Sequence, residues 1–366
     1  MIRILSDIHF GARRNSTLFH DILIKELEVF LKMVKKTDSV VILGDVFESR
    51  TSVDFKVLND AINFFIELTK KCKEIFILVG NHDLYYKENK TDNVNCSFLE
   101  FDGCAKTKRA SVEIVQEICI KEIQNKKCLF IPWVDTEEQK NKSEDSIINL
   151  KYDVVFGHFD IINLYDKTSV NPTYIDENKF KNDTIIMSGH YHKRSEREKI
   201  IYVGSIISTT FNDVGNTKGF YSISDSGVKF KEGTSPIFHY MNIEDSKIFS
   251  EALNNASPEL IDSMTKKIKG NIIKLIVNEY CTENDKICDV IKKMSPLLLS
   301  VTYNRFEDNI EDEESFDGFD PKSEMTDIIN QYIDKIESSL PENITSDTIK
   351  NLISEKHNNY ISMVSN

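Results

Sequence analysis

Residues 75–83 read IFILVGNHD, five apolar residues followed at once by a glycine and three polar residues. The apolar part has the length and the β-branched content of a buried strand, and a glycine permits a sharp turn out of it. Polar side chains at the carboxyl end of such a strand lie where open α/β sheets bind their ligands. This stretch therefore predicts an α/β sheet with a functional site along one edge.

Four other predicted strands end in the same kind of motif. DIH at 7–9 follows the apolar run 2–5, GD at 44–45 follows 40–43, GH at 157–158 follows 154–156, and GHYH at 189–192 follows 185–187. Residues 128–131 and 200–203 are further strand candidates, and apolar residues at helical spacing fill 18–34 and 55–66. Strands that alternate with amphipathic helices predict a layered α/β domain.

The rest of the sequence predicts a hairpin at the end of the main domain and three smaller segments after it. Residues 219–224 and 228–230, separated by Asp-Ser-Gly at 225–227, predict a hairpin that closes a second sheet. The boundaries that we predict are 1–241 for the main domain, 242–306 for a small α/β domain, 307–322 for an acidic linker and 323–366 for two amphipathic helices joined at Pro341. Helices this short need a surface to pack on.

Charge and composition exclude several classes of protein. The net charge is −13, and ten acidic residues against one lysine in 307–327 account for most of it. A chain this acidic does not wrap nucleic acid through bulk positive potential. The seven cysteines contain no C-x-x-C pair, which indicates reduced thiols in the cytoplasm, and the absence of a long apolar run argues against a membrane protein.

The residues that follow the strands form one set of possible metal ligands. They are two aspartates, one asparagine and four histidines, namely Asp7, His9, Asp45, Asn81, His158, His190 and His192. Oxygen and nitrogen donors in this mixture suit a pair of ions such as Mn, Fe or Zn, and disfavour a structural zinc site. Two ions about 3.5–4 Å apart can hold a hydroxide and a phosphate oxygen together, which predicts phosphate ester hydrolysis. An isolated histidine such as His20 is more often structural. Five motifs in order, each after a strand, argue against a purely structural role for the whole set of candidate ligands.

The ordered motifs resemble the calcineurin-like metallophosphoesterase superfamily, whose fold is a two-sheet sandwich flanked by helices with a dinuclear metal centre. The resemblance implies that Asp7, His9 and His192 bind one ion, that Asn81, His158 and His190 bind the other, and that Asp45 bridges them. It also implies that His82 is a catalytic residue outside the metal ligands, which stabilises the transition state or protonates the leaving oxygen, with Asp83 orienting it.

Further motifs narrow the resemblance to SbcD-type double-strand-break-repair nucleases, including the nuclease subunits of the recombination endonucleases of T-even phages. These motifs are DIHFG at 7–11, GDVF at 44–47, IPW at 131–133, YVGS at 202–205 and KGF at 218–220. Glu48 stands where cellular relatives carry Asp, and Val203 stands where they carry Pro. Trp133, within the IPW motif, is expected to belong to the core.

The resemblance implies a manganese-dependent DNA nuclease with 3′-to-5′ exonuclease activity on duplex DNA and endonuclease activity on single strands and hairpins. It implies a homodimer joined through helices of the main domain, a DNA-capping domain at 242–306, and a coiled-coil SMC-like ATPase partner bound by 323–366. The alternative is a phosphoesterase that acts on small phosphodiesters or phosphomonoesters. The metal-ligand pattern does not separate these two functions.

Overall fold

The structure is a computed structural model that describes residues 1–85, 94–96, 110–161, 174–181, 183–278 and 281–303. Residues 1–305 form one compact unit. The predicted acidic linker and the two predicted C-terminal helices lie outside the described residues. Within the described ranges, no helix has both the length and the hydropathy needed to cross a membrane.

The strands confirm most of the predicted elements and add several. In chain order they are β1 (Ile2–Leu5), β2 (Ser39–Ile42), β3 (Glu74–Leu78), β4 (Ser111–Val115), β5 (Cys119–Ile123), β6 (Lys126–Ile131), β7 (Val154–Gly157), β8 (Ile185–Ser188), β9 (Ser195–Arg197), β10 (Ile200–Tyr202), β11 (Gly219–Ser224), β12 (Gly227–Glu232), β13 (Phe238–Ile243), β14 (Ile272–Val277) and β15 (Leu298–Tyr303). Strands β4, β5, β9 and β13 were not predicted, because each is only partly buried and contains polar residues.

The helices are α1 (Ala12–Asn15), α2 (Thr17–Met33), α3 (Phe55–Lys71), α4 (Glu137–Asn149), α5 (Ser246–Asn254), α6 (Pro258–Ile268) and α7 (Thr282–Lys293). Helix α4 begins where the Thr136 side chain accepts a hydrogen bond from the Gln139 amide, which satisfies one of the free N–H groups of its first turn. Two lysines in the last turn of α3 interact favourably with the negative end of its dipole.

Two six-stranded sheets form a sandwich, which confirms the predicted fold class. The first sheet has the order β12-β11-β1-β2-β3-β4, and the second has the order β5-β6-β7-β8-β10-β9. Strands β1 to β4 are parallel, whereas β11 and β12 are an antiparallel hairpin attached to β1. The prediction that this hairpin closes the second sheet was therefore wrong, since the alternation of its sequence did not specify which edge it would pair with.

The main core lies between the two sheets. Phe130 packs between Phe76 and Phe156, with ring centroids 5.7 and 5.5 Å away. Helices α2 and α3 cover the outer face of the first sheet, and α4 covers that of the second. Because both faces of each sheet are covered, the central strands are almost continuously apolar, as the sequence suggested.

A third sheet, of three parallel strands in the order β13-β14-β15, follows the sandwich. Apolar residues of α5, α6 and α7 cover one of its faces. Strand β13 runs across the predicted boundary between residues 241 and 242, so this sheet begins a few residues before that point. The division of the chain into separate domains stays a prediction.

Replacing the central aromatic ring of the core should destabilise the protein strongly. Phe130→Ala removes a fully buried ring between the two sheets, and such truncations cost about 3–5 kcal/mol of unfolding free energy. The matched control is Ile248→Ala, because Ile248 is 67% exposed and its loss should change stability by about 0.5 kcal/mol or less. Urea unfolding of both variants measures the difference, and equal destabilisation would contradict the assigned core.

Candidate metal centre

The polar motifs at the ends of β1, β2, β3, β7 and β8 meet at one edge of the sandwich. The Asp7 amide donates to the Gly44 carbonyl over 3.2 Å, which joins the ends of β1 and β2. The His190 amide, from the second sheet, donates to Asp7 Oδ1 over 3.1 Å. The predicted residues of the two sheets are therefore neighbours, as parallel strands that end at one edge require.

Three of the predicted ligands form one group. Potential ligand atoms of Asp7, His9 and His192 lie within 4.8 Å of one another. The imidazole rings of His9 and His192 have centroids 4.6 Å apart. These are the three residues that the family resemblance implied for the first ion.

The second implied trio also comes together. Asn81 Oδ1 lies 3.0 Å from His158 Nε2 and 3.0 Å from His190 Nδ1. One carboxamide oxygen thus faces a nitrogen of each histidine, an arrangement suited to sharing a cation. The two imidazole rings are 5.5 Å apart.

Asp45 lies between the two groups. Its Oδ2 is 3.4 Å from His158 Nε2 and 3.7 Å from His9 Nε2. This is the position that a bridging carboxylate needs, because a single oxygen faces a ligand of each ion. The structure therefore brings all seven predicted metal residues together, while the assignment of individual ligands stays a prediction.

The electrostatics of the site favour a cation. Burial by itself raises the pKa of Asp45, but the charges of His158 and His9 outweigh burial and hold that pKa well below its ordinary value. Burial by itself lowers the pKa of His158, yet the charge of Asp45 and its hydrogen bond raise the pKa to about 9 from 6.5. In the absence of an ion, protons on the histidines balance the buried carboxylates.

One buried side chain supports the presence of an ion directly. His9 is 2% exposed, and neither ring nitrogen makes a properly aligned hydrogen bond, although Glu48 Oε2 lies 2.8 Å from Nδ1. A buried polar atom without a partner is costly, and a metal bound at Nε2 would satisfy it. Together with the oxygen and nitrogen donors around it, His9 makes the site fit a pair of divalent ions.

Backbone geometry directs these side chains inward. Asp7, His9, Asp45 and His190 have φ values of 49°, 51°, 54° and 84°, in the left-handed region. Such conformations cost about 1–3 kcal/mol each and persist only where surrounding structure enforces them. Gly44 has a φ of 89°, and a Cβ there would collide with the His158 ring and the backbone of Gly80, so the glycine is required by space as well as by φ.

His82 lies beside the ligands and is held by backbone groups. Its ring centroid is 4.9 Å from that of His9, and its amide donates to Asp45 Oδ1 over 2.8 Å. Its Nδ1 faces the carbonyl oxygen of Glu48. Because a carbonyl only accepts, Nδ1 carries the proton, and Nε2 is left to face a substrate.

Asp83 contacts the backbone of two turns, and its predicted role of orienting His82 stays a prediction. Its carboxylate accepts hydrogen bonds from the amides of Gly80, Asp45 and Val46 at 2.8, 2.8 and 2.9 Å. Asp83 therefore braces the turn after β2 against the turn after β3. The orienting contact to the His82 ring comes from the Glu48 carbonyl, which sequence reasoning did not identify.

Two acidic residues that sequence reasoning missed contact the ligand histidines. Glu48 faces His9 Nδ1 as described above, and Asp160 Oδ1 lies 3.2 Å from His190 Nε2. A carboxylate behind a ligand histidine fixes the ring and raises its basicity. Glu48 was noticed only as a departure from related sequences, while Asp160 follows GH at 157–158 by two residues and carried no other signal.

A buried ion pair supports the GHYH turn from below. Lys218 Nζ lies 2.7 Å from Asp213 Oδ1 and 3.1 Å from Ser205 Oγ, and it also donates to the His192 carbonyl. Asp213 Oδ2 in turn accepts from the Thr209 and Thr210 amides. The lysine of the KGF motif at 218–220 therefore has a structural role, because it binds the backbone carbonyl of His192, a predicted ligand.

With this geometry established, comparison with known proteins identifies the family. Residues 1–201 match the family model of calcineurin-like phosphoesterases. The chain belongs to this family. Members bind two divalent metal ions, and this phosphoesterase supplies ligand clusters for them within its described residues.

Two relatives of this phosphoesterase come from viruses. The chain is 22% identical over 219 residues to "Exonuclease subunit 1" of Enterobacteria phage T4, covering 59% of this chain and 62% of that protein. It is 27% identical over 222 residues to "Putative phosphoesterase 078R" of Invertebrate iridescent virus 3, covering 57% and 60%. The chain therefore spans about three-fifths of the length of these curated relatives.

Solved structures similar to this phosphoesterase are more distant. A phosphopantetheinyl hydrolase from Mycobacterium tuberculosis is 11% identical, with a TM-score of 0.30, covering 56% of this chain and 89% of that one. Nuclease MPE from Pseudomonas putida is 13% identical, with a TM-score of 0.28, covering 60% and 83%.

His82→Ala should separate catalysis from metal binding. Loss of a general acid or base typically costs about 100- to 10,000-fold in rate, whereas the metal content should stay unchanged because His82 lies outside the two ligand trios. Asp45→Asn is the matched variant and should weaken both ions together. Elemental analysis and hydrolysis of a chromogenic phosphodiester measure the two effects, and metal loss in His82→Ala would overturn its assignment.

Metal affinity should decrease as the pH is lowered, and the decrease should begin near pH 9, the pKa of His158, well above the ordinary imidazole pKa. His158 keeps its proton up to about pH 9 in the metal-free protein, so an ion must displace that proton throughout the range below. Because the folded-state pKa is raised, the proton stabilises the metal-free fold fully below about pH 6.5, and this contribution is lost as pH rises through about 9.

Calorimetric titration with Mn²⁺ in buffers of different ionisation enthalpy would count the released protons at each pH. Thermal unfolding in EDTA over the same range should show the opposite trend, with stability decreasing as metal affinity increases. Metal affinity that is constant between pH 7 and pH 9 would contradict the raised pKa of His158.

Proposed function

We propose that this phosphoesterase is a metal-dependent DNA nuclease. The observation that carries metal-dependent phosphate ester hydrolysis is the pair of predicted ligand trios with Asp45 between them and His82 at their side. Similarity to the phage T4 protein named as an exonuclease subunit extends over much of the chain and supports DNA as the substrate. The motifs shared with SbcD-type nucleases point the same way.

The residues have distinct tasks in this proposal. Asp7, His9 and His192 would hold one divalent ion and Asn81, His158 and His190 the other, with Asp45 shared. When bound, the two ions supply an activated water and charge neutralisation for a phosphate group. Glu48 and Asp160 fix two of the histidine rings, so that the donors are set before substrate arrives.

His82 would act on the leaving oxygen. Its Nδ1 proton is directed to the Glu48 carbonyl, so its orientation is fixed by the backbone and does not depend on substrate. When the ring is doubly protonated, the second proton, at Nε2, can stabilise negative charge on the phosphate or pass to the departing oxygen. Both tasks are compatible with phosphodiester cleavage.

We further propose the activities of the nuclease branch, namely 3′-to-5′ exonuclease cleavage of duplex DNA and endonuclease cleavage of single strands, with Mn²⁺ as the preferred metal. The purified chain should be incubated with end-labelled linear duplex, hairpin and circular single-stranded DNA in Mn²⁺ or Mg²⁺. Release of the 3′ label first, and loss of all cleavage in His82→Ala, are expected. Cleavage that persists in His82→Ala would indicate a contaminating nuclease.

Hydrolysis of small phosphoesters is the second candidate function. The similarity to a viral protein named as a putative phosphoesterase favours it as much as the shared ligand set does. Parallel assays on cyclic nucleotides, a chromogenic phosphodiester and a chromogenic phosphomonoester would separate the two. Efficient turnover of these compounds with no cleavage of DNA would replace the nuclease proposal.

A homodimer through α2 and α3 is proposed from an exposed apolar surface. In a groove of about 490 Å³ between these helices, Ile24 and Leu31 are partly exposed above the buried Phe64, and Phe55 at the start of α3 is 89% exposed. Apolar exposure of this kind is typical of an interface. Light scattering should show a dimer for the full chain and a monomer for Leu31→Asp, with Lys70→Asp as the control on the same helix pair.

The partner proposed for residues 323–366 is a coiled-coil SMC-like ATPase. The sequence supports it because Ile329, Ile333 and Ile336 recur at helical spacing in a predicted helix too short to be stable alone. Truncation before Ser323 should leave metal-dependent cleavage of single strands unchanged and abolish co-purification with the ATPase. A large fall in melting temperature without any partner would instead show that these helices pack on their own chain.

A further inference from the structure

A cavity of about 540 Å³ lies beside the metal centre on the same edge of the sandwich. Its walls are the connection between β4 and β5, the loop after β6, and one face of α4. Strands β4 and β6 end at this edge together with β3, since the Val79 carbonyl accepts from the Trp133 amide over 2.9 Å. The cavity has the size of a small-molecule subsite.

Trp133 connects the cavity to the metal residues. Its indole lines the cavity, and its ring centroid is 4.8 Å from that of His190 and 6.0 Å from that of His158. The side chain is only partly buried and packs against the main-domain core. The expectation that Trp133 belongs to the core is therefore met in part. A group stacked in the cavity would therefore lie one ring away from the ligands of the second ion.

The chemistry of the walls suits a flat, neutral heterocycle. Ile118, Pro132 and Val134 give apolar surface, while Gln116 and Gln139 give carboxamides that can bond the edge of a base. Gln139 Oε1 already accepts from the Asp135 amide over 3.0 Å, which leaves its NH₂ group as a donor.

A phosphate is a poor match for the same walls. The lysine that lines the cavity, Lys142, is paired with Glu138 over 2.7 Å. Glu117 and Asp145 also line the cavity and bring negative charge. An anionic ligand would be repelled, whereas a neutral base can stack on the aromatic ring without bringing charge into the cavity.

We infer that this cavity is a subsite for the nucleobase next to the scissile phosphate. The inference rests on the proposed nuclease function, because it places the phosphate at the metal centre and its neighbouring base against Trp133. It assigns to the IPW motif at 131–133 a role in holding substrate.

Trp133 is the single tryptophan of the chain, so all tryptophan fluorescence comes from this wall of the cavity. The full chain, in EDTA, should be titrated with thymidine, with deoxyadenosine, with a ten-residue oligothymidylate and with deoxyribose 5-phosphate. Saturable quenching by the three probes that carry a base, and none by deoxyribose 5-phosphate, is expected. Quenching that requires only the sugar phosphate would overturn the inference.

Ser146→Phe tests the same point by filling the cavity from α4. The control is Asn141→Phe, which places the same side chain on an exposed position of that helix, outside the cavity walls. Because stacking contributes about 1–3 kcal/mol per base, Ser146→Phe should weaken binding of the oligonucleotide about 5- to 160-fold. The Mn²⁺ content measured by elemental analysis, which does not depend on the cavity, should stay unchanged in both variants.

A second variant, Gln116→Leu, keeps the test available if Ser146→Phe does not fold. It should weaken base-dependent quenching with less effect on stability. Base-dependent quenching without any DNA cleavage would retain the subsite and remove the nuclease proposal. DNA cleavage with no base-dependent quenching, or with unchanged oligonucleotide affinity in both cavity variants, would retain the nuclease and remove the subsite.

Discussion

The buried carboxylate of Asp45 is the group on which the site depends. It is 1% exposed, and it faces a histidine from the first sheet and a histidine from the second. Moving an ionised carboxylate away from water costs several kcal/mol unless nearby charge compensates for it. Protonated histidines meet that need in the metal-free protein, and divalent ions would meet it in the active one. The negative charge of Asp45 therefore favours bound cations and also attracts a histidine from each sheet at this edge.

The backbone around Asp45 is arranged to keep that carboxylate in place. Asp83 receives three amide hydrogen bonds from the turns after β2 and β3, and Gly44 allows His158 to approach the backbone closely. Several ligands adopt left-handed conformations that are unfavourable in isolation. The large apolar core between the sheets stabilises these strained turns, so the rigidity of the sandwich is what makes the metal site preformed.

Supporting groups arrive from distant parts of the chain. Lys218, on the approach to β11, donates to the carbonyl of His192, while Glu48 and Asp160 stand behind two ligand histidines. Each of these contacts depends on how loops from separate strands meet, which no local pattern encodes. Trp133 contacts His190 of the metal centre and also lines the adjoining cavity, so it lies between the two.

The sequence by itself determined the layered fold and the candidate metal residues, because period, strand length and the motif after each strand are local properties that the parallel arrangement brings to one edge. It did not determine the edge on which the β11–β12 hairpin pairs, the partly exposed strands β4, β5, β9 and β13, or the contacts of Asp83 with two turns. Only the tertiary structure decided these, since they depend on contacts between residues far apart in the chain. The cavity beside Trp133 is of the same kind, because its walls come from three separate segments that meet only when the sandwich closes.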